Sequence, residues 1–403
     1  MTDFAATRAQ FDLPENVVYL DGNSLGPLPR AARERLAHEV GDHWGRLLIR
    51  GWNEAGWIDL PDRVGDRIAR LIGAPAGSVT AGDSTSVNLY KALTGALSLA
   101  GDRKVVLSDS GNFPTDLYVA QMALDALARG HELKVVEPEA VADAIDEGVA
   151  VLMLTEVDYR TGRLHDMQAL TAKARDAGAI TIWDLAHSAG ALPVDLTAAG
   201  ADFAIGCGYK YLNGGPGAPA FLYVRRDLQT ALRQPIWGWL GAANPFTFDL
   251  DYTPAPNIGR FWVGTPPVLS LKAIAPAVEL LLAAGIDRLR AKSMAQTEYL
   301  IFLADRWLTP LGFSVGSPRQ ADRRGSHVSL RHPEAYRINR ALIEAEPPAL
   351  RVIPDFREPD NLRCGVAPLY NSFTDIHRAM ERLKTIVTER LYEAYSAERA
   401  AVT

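Results

Sequence analysis

From about residue 102 to 225 the chain alternates short apolar runs with longer stretches of helical period. Lys104–Ser108 (KVVLS) precedes a helix that opens near Pro114. Leu133–Val136 precedes Val141–Glu147, and Val151–Thr155 precedes Asp166–Ala177 and then Ile180–Asp184. Ala201–Gly206 and Ala220–Val224 complete the series. Strand-length apolar runs separated by amphipathic helices predict an α/β fold, a mixed, mostly parallel sheet flanked by helices. Such sheets bind ligands beyond the carboxyl ends of their strands. The residues just after each apolar run are therefore the ones to inspect for chemistry.

After Thr265-Pro266-Pro267 the pattern changes. A long helix is expected from near Leu269 toward Leu289, then short strands at His327–Arg331 and Leu362–Val366, then a closing helix from Thr374 to about Glu398. This predicts a smaller α+β C-terminal domain over residues 269–403. A large α/β domain is expected over 46–268. An N-terminal segment, 1–45, carries a helix from Pro29 to Gly41 or beyond and is expected to pack on the smaller domain.

Composition narrows the class of protein. Hydrophobic residues make up 48% of the 403 and charged residues 22%, enough for a full globular core. A net charge of −6 argues against a nucleic-acid partner. Two cysteines, Cys207 and Cys364, are too few for a disulfide framework or a cysteine-rich zinc site. The start, MTDFAATRAQFDLPEN, lacks the basic and apolar regions of a signal peptide. The longest apolar stretch, Ala273–Ile286, is interrupted by Glu279 and is too short to span a bilayer, so it reads as a buried core helix. The expectation is a cytoplasmic protein with no membrane partner.

Two segments carry the chemistry. In IWDLAHS (182–188), Asp184 ends an apolar run and His187 follows three residues on. In GCGYKYLNGGPG (206–217), Lys210 sits in a glycine-rich turn after the run ADFAIG. Two consecutive strand ends would thus project an acid and an amine into one crevice. Pyridoxal 5′-phosphate (PLP) chemistry needs that pair. The lysine carries the cofactor and then shuttles protons, and the acid keeps the pyridine nitrogen protonated. Ser84-Thr85-Ser86 places hydroxyls at a helix start, a site for the phosphate. Phe113 is placed to stack on the ring, and the Tyr209 phenol to reach the phosphate. Taken singly, Asp184 is a strand-end cap, His187 a structural histidine, Lys210 a solvated lysine and Phe113 core. Their joint order turns the reading.

The chain as a whole resembles the kynureninase family, within the fold type I, aspartate-aminotransferase-like PLP enzymes. The resemblance rests on YLDGNSLGPLP (19–29), RGWNEAGW (50–57), GNFPTDLY (111–118), MLTEVDYRTG (153–162), IWDLAHSAGALPVDL (182–196), GCGYKYLNGGPG (206–217), GTPP (264–267), RGSHVSL (324–330) and RCGVAPLY (363–370). It implies that Thr85, Ser86, Phe113, Asp116, Thr155, Asp184, His187 and Tyr209 contact the cofactor and that Lys210 binds it. It implies that Trp239 and Thr265 reach the phosphate of a partner subunit in a homodimer with shared active sites. It places Arg363 on the substrate's α-carboxylate and Trp52 near its aromatic ring. The chain has Ser84-Thr85-Ser86 where many relatives have Thr-Thr-Ser, which preserves the hydroxyls.

The reaction so implied is hydrolysis of L-kynurenine, and of its 3-hydroxy derivative, to the anthranilate and L-alanine, in tryptophan catabolism. It would run through aldimine, quinonoid and ketimine intermediates, with Lys210, Asp184 and Tyr209 as the catalytic groups. Three other readings compete. A cysteine desulfurase or selenocysteine lyase shares the fold, but no cysteine lies between Lys210 and Arg363. Gly22-Asn23-Ser24-Leu25-Gly26 fits the G-x-S-x-G elbow of a serine hydrolase, but at the wrong place in the chain. A non-catalytic PLP-fold binding module has no need of the full set of chemical residues.

Overall fold

A computed structural model describes residues 4–398. A short strand, β1 (Val17–Tyr19), comes first. The large sheet is then built from β2 (Val79–Ala81), β3 (Val105–Asp109), β4 (Glu132–Val136), β5 (Val149–Thr155), β6 (Ile180–Asp184), β7 (Phe203–Cys207) and β8 (Ala220–Val224). Its order is β2-β8-β7-β6-β5-β3-β4. The strands from β4 to β7 pair in parallel, and β8 runs antiparallel to both β7 and β2.

Helices cover both faces, which explains why the central strands are continuous apolar runs. In β5 every residue is buried. Leu152 and Leu154 face a core shared with the helices Leu60–Leu71, Met167–Asp176 and Val268–Ala284. Val151 and Met153 face the other core, shared with Thr85–Leu97 and Pro114–Leu127.

The second sheet comprises β9 (Ser314–Val315), β10 (His327–Arg331), β12 (Asp355–Arg357) and β13 (Asn361–Gly365), in the antiparallel order β12-β13-β10-β9. Between them in sequence, β11 (Arg351–Ile353) pairs in parallel with β1. Val18 and Leu20 join the core beneath this sheet, with Leu300, Val328, Leu362, Ile376 and Leu383.

Several elements end where the apolar pattern places them, among them β6, β8 and β10. The helix expected over Leu269–Leu289 is in fact two, Val268–Ala284 and Ile286–Leu303. They meet at Gly285, whose φ of +83° ends the first helix. The closing helix spans Phe373–Thr388, opened by a Ser372/Asp375 capping box, and stops short of Glu398. The segment Val141–Glu147 forms only one turn, Val141–Ala144. The three-residue β2, β11 and β12 carry too little periodicity to be read from sequence. Among the described residues no single helix is long and apolar enough to cross a membrane.

Candidate active site

The carboxyl ends of β5, β6 and β7, the starts of two helices and the β12–β13 hairpin enclose a cleft of roughly 590 Å³. Asp184 is the last residue of β6, and its carboxylate accepts the Ala186 N–H at 2.7 Å. His187 follows in the same turn and is buried. Lys210 lies just past β7, its Nζ 3.4 Å from His187 Nε2. Burial first, then the Lys210 charge, holds His187 well below its ordinary pKa, so the ring is neutral and can accept from the amine.

The Lys210 turn is tight. A side chain at Gly208 would lie 2.4 Å from the Pro219 carbonyl oxygen. Gly26 packs onto the turn from outside, donating its N–H to the Tyr209 carbonyl at 2.7 Å, and a Cβ there would fall 2.6 Å from Asn213 Cα. The Gly22–Gly26 turn is thus a cover for the Lys210 turn. Ser24 Oγ donates to Asp355 and accepts from Arg363, with no histidine in its bonding, so the serine-hydrolase reading fails.

Phe113 is the N-cap residue of the helix Pro114–Leu127 and is 41% exposed. Its centroid is 5.9 Å from Lys210 Nζ, and Tyr159 braces it edge-on at 5.1 Å. Asp116, in that helix's first turn, is buried. Burial and then the neighbouring Asp184 push its carboxyl well above the usual range. Burial also raises Asp184, against which the Lys210 charge and the Ala186 N–H work.

Ser84 is the N-cap of the helix Thr85–Leu97, with Thr85 and Ser86 in its first turn. The preceding loop is pinned from below. Buried Lys91 pairs with Asp83 and donates to the Phe261 carbonyl, while Asn88 donates to the Gly82 carbonyl. Arg363 enters from the opposite wall, buried and locked on Asp355 through Nε at 2.7 Å and through Nη2.

The expected residues do not all meet in one chain. Lys210, Asp184, His187, Tyr209, Phe113, Asp116, Thr85, Ser86 and Arg363 line the cleft. Thr155 does not line the cleft; it is buried at the end of β5, its hydroxyl donating to the Asp184 carbonyl at 3.5 Å. Trp52 packs edge-on against Trp57 at 5.8 Å, away from the cleft. Trp239 is 41% exposed and stacks on Phe248, and Thr265 lines a separate hollow with Thr80 and Trp262. Sequence reasoning missed Lys91, Tyr159 and Asp355, and it offered Arg357 only as a substitute for Arg363. Only Tyr159 carried a signal, standing just beyond the end of β5.

The sheet order, the strand-end acid and amine, and the hydroxyl-lined helix start together define a fold type I PLP enzyme. The residues fit that cofactor: Phe113 offers an open ring face beside Lys210, a buried acid waits at the floor, and a helix N-terminus faces the cleft with three hydroxyls. A family profile described as Kynureninase C-terminal domain matches residues 289–383. The kynureninase of Pseudomonas fluorescens is 45% identical over 99% of this chain and 96% of its own length. In structure, a cysteine desulfurase from Thermococcus onnurineus superposes with a TM-score of 0.81 at 19% identity, covering 96% of this chain and 99% of that one. A cystine C–S lyase with glycine covalently linked to its PLP gives 0.76 at 19% identity, covering 94% and 98%. The chain belongs to the kynureninase family.

Proposed function

We propose that Lys210, Asp184 and Tyr209 are the catalytic groups of this kynureninase-family chain. The protein is a PLP-dependent hydrolase that cleaves L-kynurenine to anthranilate and L-alanine. When bound, the cofactor supplies an electron sink for charge developing at the substrate's α-carbon. With the cofactor bound, Lys210 would take the proton from that carbon. Asp184 would keep the pyridine nitrogen protonated. Thr85 and Ser86, at the helix start, would hold the phosphate, and Phe113 and His187, which line the same cleft, would contact the cofactor. Water adds to the side-chain ketone, and the bond between the β- and γ-carbons breaks. The ketone carbon leaves as the anthranilate carboxylate, and a proton from Tyr209 replaces it on the β-carbon. Arg363 holds the α-carboxylate.

The observation that carries this reading is the meeting of Lys210, His187 and buried Asp184 in one cleft that Arg363 also lines. A desulfurase would need an accessible thiol, whereas Cys207 and Cys364 are both buried and burial raises both thiols.

The working unit is a homodimer in which Trp239 and Thr265 complete the neighbour's site, and Trp52 lies toward the aromatic ring of the substrate. The exposed residues Trp237, Trp239, Phe246, Phe248 and Leu250 support this, since they form an apolar loop that a second copy would cover. The division into segments 1–45, 46–268 and 269–403 and a cytoplasmic location belong to the same reading, as does activity on 3-hydroxy-L-kynurenine. The test is to mix the protein, PLP and L-kynurenine and follow anthranilate fluorescence and alanine. Faster turnover of L-cysteine than of kynurenine would overturn it.

A further inference from the structure

Arg363 is expected to grip the substrate's α-carboxylate, yet its donors are nearly all committed. A guanidinium has five N–H groups. Nε donates to Asp355 Oδ1, and Nη2 donates to Asp355 Oδ2 and to Ser24 Oγ. Nη1 donates to the Tyr159 carbonyl. One N–H on Nη1 is left. The paired face that would receive a carboxylate bidentately is already filled by Asp355.

Arg357 stands on the same wall of the cleft, two residues beyond Asp355. Its Nη2 is 2.9 Å from Asp355 Oδ2 and its Nη1 donates to the Phe356 carbonyl at 3.0 Å. Its side chain is 37% exposed against 2% for Arg363 and lines the cleft, so it is the more accessible of the two to an incoming anion. Asp355, 4% exposed, therefore lies between two guanidiniums, and although Asp21 faces the same pair, burial raises its carboxyl to about 7, so below that pH the two arginines have room for a second anion. Asn23, fully buried on the same wall, has both polar atoms of its amide without a partner.

We propose that Arg357 is a second carboxylate-binding residue, sharing the substrate's α-carboxylate with the single free N–H of Arg363, while Asp355 positions both arginines. The inference rests on the proposed function, in which an α-amino acid occupies this cleft. In it Arg363 is a rigid, buried anchor and Arg357 supplies most of the donors that a newly arrived carboxylate meets.

The experiment compares the PLP-loaded wild type with Arg357→Gln and Arg357→Lys. KM and kcat are measured on L-kynurenine. Inhibition is measured with kynuramine, which has the same side chain and amine but no carboxylate. Arg357→Gln should raise KM about tenfold or more, the scale of a lost charge-assisted hydrogen bond, with kcat changed far less. Arg357→Lys should fall between, and kynuramine should inhibit all three proteins alike. An unchanged KM in Arg357→Gln overturns the proposal. So does a parallel loss of kynuramine binding, or loss of PLP from both variants, because either assigns Arg357 a structural role. If the wild type itself made no anthranilate, the underlying function would fail instead, and that outcome is read before any variant.

Discussion

Asp116 and Asp184 are buried carboxyls that act on one another, and burial first raises both, Asp116 further because Asp184 also pushes it up. Two carboxylates in contact cannot both ionise in a desolvated site. Asp116, pushed further up, keeps the proton. Asp184, raised less and held down by the Lys210 charge and the Ala186 N–H, is the one of the pair that ionises more readily, and in the proposed mechanism it would face the pyridine nitrogen.

Asp184→Asn keeps the shape and removes that charge. The amide cannot hold the nitrogen protonated, so kcat should fall by about two orders of magnitude or more, on the order of 3 kcal/mol in the barrier. PLP should stay bound, since Lys210 and the hydroxyl loop are untouched. Asp116→Asn, by contrast, still offers a neutral donor and should keep kcat within about tenfold of wild type, less than one 1.4 kcal/mol step. Equal losses in the two variants would mean that Asp116 is the ionised partner.

In the proposed mechanism Lys210 is the amine that would carry the cofactor. The holoprotein should absorb visible light, and borohydride should fix the cofactor to Lys210 in a peptide map. Lys210→Ala should show no fixed label. A label on Lys91, the buried lysine behind the hydroxyl loop, would displace the assignment.

Asp21 should set the pH dependence of substrate binding. Burial first, then Asp355, pushes its carboxyl up to about 7. Ser24, Arg363 and Arg357 face it and pull the other way, and Tyr19, Tyr211 and Tyr370 complete its surroundings. A raised acid is neutral below its pKa and negative above it. Above pH 7, then, Asp21 adds negative charge beside the site for the α-carboxylate and KM should climb. Asp21→Asn should flatten that rise. A profile that keeps its shape in the variant would remove Asp21 from the account.

Assembly can be tested by complementation. The protein should sediment as a dimer. Lys210→Ala and Trp239→Ala should each be impaired as separate homodimers. Mixed dimers should regain activity, because one subunit then contributes Lys210 to a site that the other completes with Trp239. No recovery after proven subunit exchange would place Trp239 outside the neighbour's site.

Much of this was legible in the sequence because it depends on local pattern. The parallel strands are buried on both faces, so Val149–Leu154 is an unbroken apolar run that reads as a strand. Ligands gather at strand ends, so Asp184, the last residue of β6, and Lys210, three residues past the end of β7, stand out as candidates, and both line the cleft. Phe113 and the Ser84–Ser86 hydroxyls sit at helix starts, which Pro114 and an N-cap serine mark. What the sequence could not determine is which distant side chains share a charge. The pairing of Arg363 with Asp355 follows from antiparallel register between β12 and β13, and the place of Arg357 beside them from a three-residue strand with no periodicity to read. The proton held by Asp116 depends on how close two carboxyls 68 positions apart come once β6 and the helix Pro114–Leu127 pack. Chain pattern decides which elements form and where their ends lie. Only packing decides how far those ends are from one another and how much water is left between them, and it is these that set charge, proton affinity and free donors.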